Sequence, residues 1–125
     1  MGLSMNFERL DDFISQAKNI SIKRIFYNVT QQSIKTMLQS GDKQFEGSKV
    51  IHTLNLSALS DDGKTYMTYN QVLGDMLVAS ITPKEEVAAF NAKTNEYMQT
   101  QFLPKMQNDY ASADLKAGSC VPTVA

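Results

Sequence analysis

The stretch KVIHTLNLSALSDDGKTYMTYNQVLGDMLVASI, residues 49–81, decides how the chain is read. Asp62-Gly63 near its middle suits a two-residue β-hairpin loop, because both central residues can take φ > 0. A turn there opposes Leu59 with Tyr66, Ala58 with Met67, Leu56 with Tyr69, Leu54 with Gln71 and His52 with Leu73. Directly opposed residues share a sheet face. One face then carries His52, Leu54, Leu56, Ala58, Met67, Tyr69, Gln71 and Leu73, and is mostly apolar. The other carries Ile51, Leu59, Tyr66 and Val72 around a polar middle of Thr53, Asn55, Ser57, Thr68 and Asn70. A one-residue slip would mix the two sets, so the pattern supports the register. Gly74-Asp75 suits a second two-residue turn, which makes a three-stranded antiparallel meander ending at Ile81. A short helix after Asn70, with Val72, Leu73, Met76 and Leu77 on one side, is the competing reading.

Upstream, residues 5–17 read as a helix, with Phe7, Leu10, Phe13, Ile14 and Ala17 at three- and four-residue spacing. Between Asn19 and Ser40, the residues Ile22, Ile25, Phe26 and Val29 continue a helical stripe, followed by Ile34, Met37 and Leu38. The expectation is a second helix stopped by Gly41. The richness of residues 20–29 in β-branched and aromatic residues supports an alternative, a strand there and a helix from Thr30. Residues 41–48 are polar with two glycines and read as a loop. Downstream, Thr82-Pro83-Lys84-Glu85 has the form of a capping box with proline in the first helical position. Val87, Phe90, Thr94 and Tyr97 make one stripe after it, and Met98, Phe102, Met106 and Tyr110 another. The second stripe runs past Pro104, which predicts one long, kinked helix. The expected fold is therefore α+β: two N-terminal helices, a three-stranded antiparallel meander, and a long kinked C-terminal helix over the His52–Leu56–Tyr69 face. Residues 1–110 form a single domain in this reading, and 111–125 a small, polar C-terminal tail.

Composition narrows the function. At 125 residues, 42% hydrophobic, 20% charged and with a net charge of −1, the chain has the size and balance of one globular domain. It has no global electrostatic pull toward nucleic acid or anionic lipid. No stretch has signal-peptide character or bilayer-spanning length, so the expectation is a cytoplasmic protein without membrane contact. The single cysteine, Cys120, allows neither an internal disulfide nor a cysteine zinc site. His52 is the one histidine, and the register places it on the apolar face, where a hydrogen-bonded core residue is the plainer account than a general base. A Cys120–His52 pair is conceivable, but a tail is a poor platform for a positioned nucleophile. Asp61, Asp62, Glu85 and Glu86 are explained by turn and helix-start chemistry. No cofactor fingerprint, metal-ligand spacing or catalytic motif is present, and the reading favours a protein that is not an enzyme.

The leading expectation is a structural or interaction protein that self-associates or docks into a larger assembly. Its apolar anchors would be Tyr66 and Leu77 on the sheet and Tyr97, Met98, Phe102 and Met106 on the helix. A single-stranded nucleic-acid binder is the first alternative, using Lys23, Arg24, Tyr27 and Lys64 as a basic and aromatic track. The second is a small-molecule or sequestering protein whose pocket at a subunit interface is lined by Thr53, Asn55, Thr68 and Asn70.

Overall fold

The computed structural model describes residues 5–110 and 114–117. One mixed sheet dominates it, with five strands in the order β1-β4-β3-β2-β5. The strands are β1 (Met5–Phe7), β2 (Arg24–Ser40), β3 (Lys43–Leu59), β4 (Thr65–Val78) and β5 (Asp114–Ala117). The central pairs β2–β3 and β3–β4 are antiparallel, while the short rim strands β1 and β5 pair in parallel with β4 and β2. Helix α1 (Leu10–Asn19) and a long C-terminal helix complete the fold. The long helix consists of α2 (Lys84–Tyr97), a π-helical turn (Met98–Phe102) and α3 (Leu103–Asp109).

This arrangement corrects the expected fold. There is one N-terminal helix, not two, and the sheet is mixed and five-stranded rather than a three-stranded antiparallel meander. The second helix is instead strand β2, which runs without interruption to Ser40. Its β-branched content was the stronger signal, because Ile25, Val29, Thr30, Ile34 and Thr36 suit a pleated surface. The supposed loop at 41–48 is largely the start of β3. Gly41 and Asp42 alone make the turn between Ser40 and Lys43, and Gly41 has the positive φ of +64° that the first position of a II′ turn needs.

The expected register holds where the core lies. Leu54, Leu56 and Ala58 oppose Gln71, Tyr69 and Met67. It survives through two compensating irregularities. The Asp62-Gly63 connection is a three-residue loop, in which the Gly63 N–H donates to Ser60 O at 2.9 Å and the Ser60 N–H to Lys64 O at 2.9 Å. Only Gly63 has positive φ, at +83°, as in a type I turn followed by a left-handed residue. A bulge at Tyr66 then restores the step, so Leu59 meets Thr65 rather than Tyr66. No turn forms at Gly74-Asp75. β4 continues to Val78, and a second bulge brings Gly74 rather than Leu73 opposite His52. A Cβ on Gly74 would stand 3.4 Å from the Phe90 ring, so the glycine lets α2 pass close to the sheet there.

The helices cover the face predicted to be apolar. Phe13, Ile14 and Ala17 of α1 and Met98, Phe102, Met106 and Tyr110 of the long helix pack with Ile25, Leu54, Leu56, Ala58, Met67 and Tyr69. Removing each large side chain from water contributes about 1.5–3 kcal/mol. Met98, Phe102 and Met106 are spaced by four, which on a regular α-helix would drift around the axis. The π-helical turn between Met98 and Phe102 absorbs one extra residue and holds the row on the sheet. The irregularity expected at Pro104 thus begins a turn earlier.

The helix ends also differ from the expected chemistry. Pro83, with ψ of 142°, is the N-cap residue of α2, and no side chain caps it. The Thr82 hydroxyl instead accepts from the Ala79 N–H at 2.8 Å, so there is no capping box. Helix α1 closes on Ser21, at φ +57°, with the Ile22 N–H donating to Ala17 O at 2.9 Å. This is a Schellman-type stop with serine where glycine is usual. Beyond the long helix, the Asp114 N–H donates to Lys23 O at 2.7 Å and aligns β5 along β2. The remainder of the stretch read as a tail lies outside the described residues.

Candidate interaction surface

Strands β2 and β3 are each 17 residues long, flanked by β4 with 14 residues and β5 with four. β5 pairs with β2 only at Arg24–Tyr27, and β1 with β4 only at Met67–Tyr69. The core built with the helices takes in Leu54, Leu56 and Ala58 of β3, and beyond it α2 meets the sheet at His52 and Gly74. The β2–β3 hairpin therefore projects from the packed body, and β4 accompanies it as far as Val78. On this end Ile34, Met37 and Leu77 are 43%, 57% and 56% exposed, Ile34 and Leu77 on the face away from the helices and Met37, opposite Glu46, on the other. Ile34, Lys49 and Leu77 form one cross-strand row on the face away from the helices. Gly47 keeps this end thin. A Cβ there would stand 2.6 Å from Leu38 Cδ1 and 2.8 Å from Val78 O. A hollow of 610 Å³ lies nearby, lined by residues including Met37, Glu46 and Val78.

The expected anchors divide between surface and core. Tyr66, in its bulge, and Leu77 are exposed. Met98, Phe102 and Met106 are buried within the subunit, so they are not offered to a partner. Their four-residue spacing was correctly read as one helix side, but that side faces the sheet. Tyr97 also turns inward, and its hydroxyl accepts from Gln71 Nε2 at 3.4 Å. Ile34 and Met37 were missed as surface positions, because helical periodicity had been assigned to a stretch that forms a strand.

The nucleic-acid candidates lie at the opposite end of the sheet. Lys23 precedes β2 and Arg24 opens it, Lys64 lies in the β3–β4 connection, and Arg24 Nη2 donates to Ser60 O at 3.5 Å. Tyr27 is not a free stacking platform, since its ring packs against Phe102 at 5.6 Å between centroids.

Thr53, Asn55, Thr68 and Asn70 share the face away from the helices, as the register required. Asn55 is buried, and its Nδ2 donates to Asn28 Oδ1 at 3.1 Å and Thr30 Oγ1 at 3.2 Å. Its amide nitrogen is thus engaged within the sheet. Beside it Ser57 is fully buried, with no hydrogen-bond partner for its hydroxyl.

His52 links β3 to α2. Its Nε2–H donates to Gln31 Oε1 at 2.9 Å, and the Thr94 hydroxyl donates to Nδ1 at 2.7 Å. The ring stacks on Phe90 at 4.2 Å. A hydroxyl, an imidazole and an orienting group do meet here, but the geometry does not suit nucleophilic catalysis. Gln31 is neutral and cannot stabilise an imidazolium, and Thr94 sits mid-helix, where the backbone N–H groups are committed to helix hydrogen bonds. Burial pushes the His52 pKa below its ordinary value. A depressed histidine pKa means that the unfolded chain binds the proton first as pH falls. Stability is therefore full above about pH 6.5 and declines as pH falls from there toward the folded-state pKa. The urea midpoint of wild type should fall over this window, and His52→Gln should flatten that dependence. An equal slope in the variant would assign the effect elsewhere. Cys120 lies outside the described residues.

Among the described residues, no three His, Cys, Asp or Glu side chains come together as a metal site. No described helix is long and apolar enough to cross a membrane. The chain matches no protein-family model, no curated protein and no solved structure.

Proposed function

We propose that this chain is a non-enzymatic interaction protein that self-associates through the projecting end of its sheet. The observation that carries this reading is the exposure of Ile34 and Leu77 in one cross-strand row, with Met37 exposed on the other face of the same strands. Clustered apolar exposure at a domain's extremity is a mark of protein–protein contact. The long, flexible methionine side chain suits a contact surface that must adapt to its partner. The burial of Met98, Phe102 and Met106 takes the helix anchors that the sequence pattern suggested away from any partner, which favours the hairpin in this reading. The absence of a free aromatic at Tyr27 weakens the nucleic-acid alternative, and the internal hydrogen bonds of Asn55 weaken the small-molecule one.

Multi-angle light scattering over a wide concentration range tests the reading. The expected result is a mass above that of the 13.9 kDa chain, retained at high salt because apolar burial is not screened. A monomer at every concentration would remove self-association.

A further inference from the structure

We infer that the self-association proposed above, on which this inference rests, is made through the hollow beside Met37, which receives Met37 of a second copy about a two-fold axis crossing the strands. Side chains alternate between the two faces of a strand. Lys35 and Met37 of β2, Glu46 and Ser48 of β3, and Val78 of β4 therefore share the side of the sheet that carries His52 and Leu54. They form two rows. Lys35, Ser48 and Val78 lie across three strands in one, and Met37 opposes Glu46 in the next, toward the hairpin turn. These residues line the hollow of 610 Å³, together with the chain that leaves β4 at Ala79 and Ser80.

The hollow is formed before anything enters it. The Thr82 hydroxyl accepts from the Ala79 N–H at 2.8 Å, and the Thr82 N–H donates to Ala79 O at 3.0 Å, which pins the wall where the chain turns away from β4. The floor at Ser48 and Val78 is half-buried, while Lys35, Met37 and Glu46 around it are exposed. Met37 is itself part of the lining and is 57% exposed, so its own side chain does not close the space. An unbranched thioether from a second copy is a side chain that adapts to such a space.

Charge points to a second copy as the occupant. The rim carries one charge of each sign on a diagonal, Lys35 on β2 and Glu46 on β3, and neither takes part in an ion pair among the described residues. A strongly charged partner gains nothing from a rim whose charges cancel, but a copy of the same rim, turned by a two-fold axis between the two rows, matches it. Met37 of each copy then stands over the Lys35–Ser48 row of the other, and Glu46 over Ser48. Lys35 comes within one strand spacing, about 4.8 Å in projection, of the other copy's Glu46, and the two long side chains bridge the gap of about 10 Å between facing sheets. The contact occurs twice, as an isologous interface requires. The projecting ends overlap and the packed bodies point away from each other. The reverse face of this end offers no such match, because Lys49 is paired with Asp75 at 3.7 Å in its own chain.

Charge reversal decides it, with masses read by light scattering at low ionic strength, where charges are least screened. Lys35 and Glu46 are exposed, so Lys35→Glu and Glu46→Lys should leave the circular dichroism spectrum unchanged. Each variant alone sets like charges together twice and should raise the dimer dissociation constant by about tenfold or more. An equimolar mixture of the two should restore the dimer, because every pair across the axis is again opposite in sign. Met37→Ser should weaken the dimer as well, and Leu77→Ser, on the reverse face, should not. A wild type that is monomeric at every concentration overturns both the proposed function and this inference, and leaves the hollow to a different partner. A wild type that self-associates while either reversal changes nothing, or while the mixture stays monomeric, overturns the hollow contact alone. Dissociation by Leu77→Ser with both reversals silent also overturns it, and moves the contact to the Ile34–Leu77 row.

Discussion

Replacing Phe102 with alanine should lower the unfolding free energy by about 3–5 kcal/mol, measured as a fall in the urea midpoint at constant slope. The ring is 1% exposed and sits where the long helix meets the sheet, against Tyr27 and among the residues of the main core. Truncation removes the transfer free energy of the ring and leaves a cavity that the sheet cannot close, since Leu54, Leu56 and Ala58 are held by ladders on both sides. A small domain has about 5–15 kcal/mol in total, so the variant should be partly unfolded or close to it. Phe102→Leu keeps most of the volume and should lose much less. If the alanine variant lost under about 1 kcal/mol, the helix would not be docked as described.

The second large effect is expected at Tyr110. Its hydroxyl, buried after the last turn of the long helix, donates to Ala17 O at 3.1 Å and also to Ile22 O. These two carbonyls flank the reversal through Ser21, so one phenol fastens the end of the long helix to the end of α1 and the start of the β2 approach. Burial pushes the phenol's pKa up, keeping the donor protonated. Tyr110→Phe retains the ring and removes only the hydroxyl. The expected loss is about 1–3 kcal/mol, because a buried acceptor loses its partner. Faster hydrogen exchange of the Ile22 amide should accompany it. Unchanged stability and unchanged exchange would show that water satisfies the same carbonyls. Nearby, Lys105 bridges Asp11 and Asp109, each at 2.9 Å, and joins the same two helices at the surface.

What could be read from the sequence depended on which side chains were buried on one face only. The middle of β3 and β4 was legible because Leu54, Leu56, Ala58, Met67 and Tyr69 alternate with polar residues, and burial on one side writes a period of two. The outer half of β2 was not, because residues 31–40 are exposed or half-buried on both faces and no alternation marks them. The helix-like stripe through Ile22 and Ile25 crossed a boundary that no glycine announced, since Ser21 supplies the left-handed residue itself. Glycine misled in the opposite direction at positions 41 and 74. The first was taken as a helix stop and makes a hairpin, and the second was taken as a turn and lies within a strand beside Phe90. The site suffered for the same reason. Tyr66 and Leu77 are exposed, but in a bulge and on a continuous β4 rather than in the pairings expected, while Met98, Phe102 and Met106 were recognised as one row without any indication of what that row faces.

The length of the central hairpin also governs how this molecule moves through solution. A strand of 17 residues spans about 55 Å at a rise of about 3.3 Å per residue. A compact sphere of this chain length would measure about 36 Å across. One axis of the particle is thus well beyond the other two, and its friction exceeds that of a sphere of equal mass. A single copy will leave a gel-filtration column early, at a position that globular standards would assign to something heavier. Elution volume therefore overstates its mass, and an absolute measurement of scattered light is needed to separate an elongated monomer from a dimer.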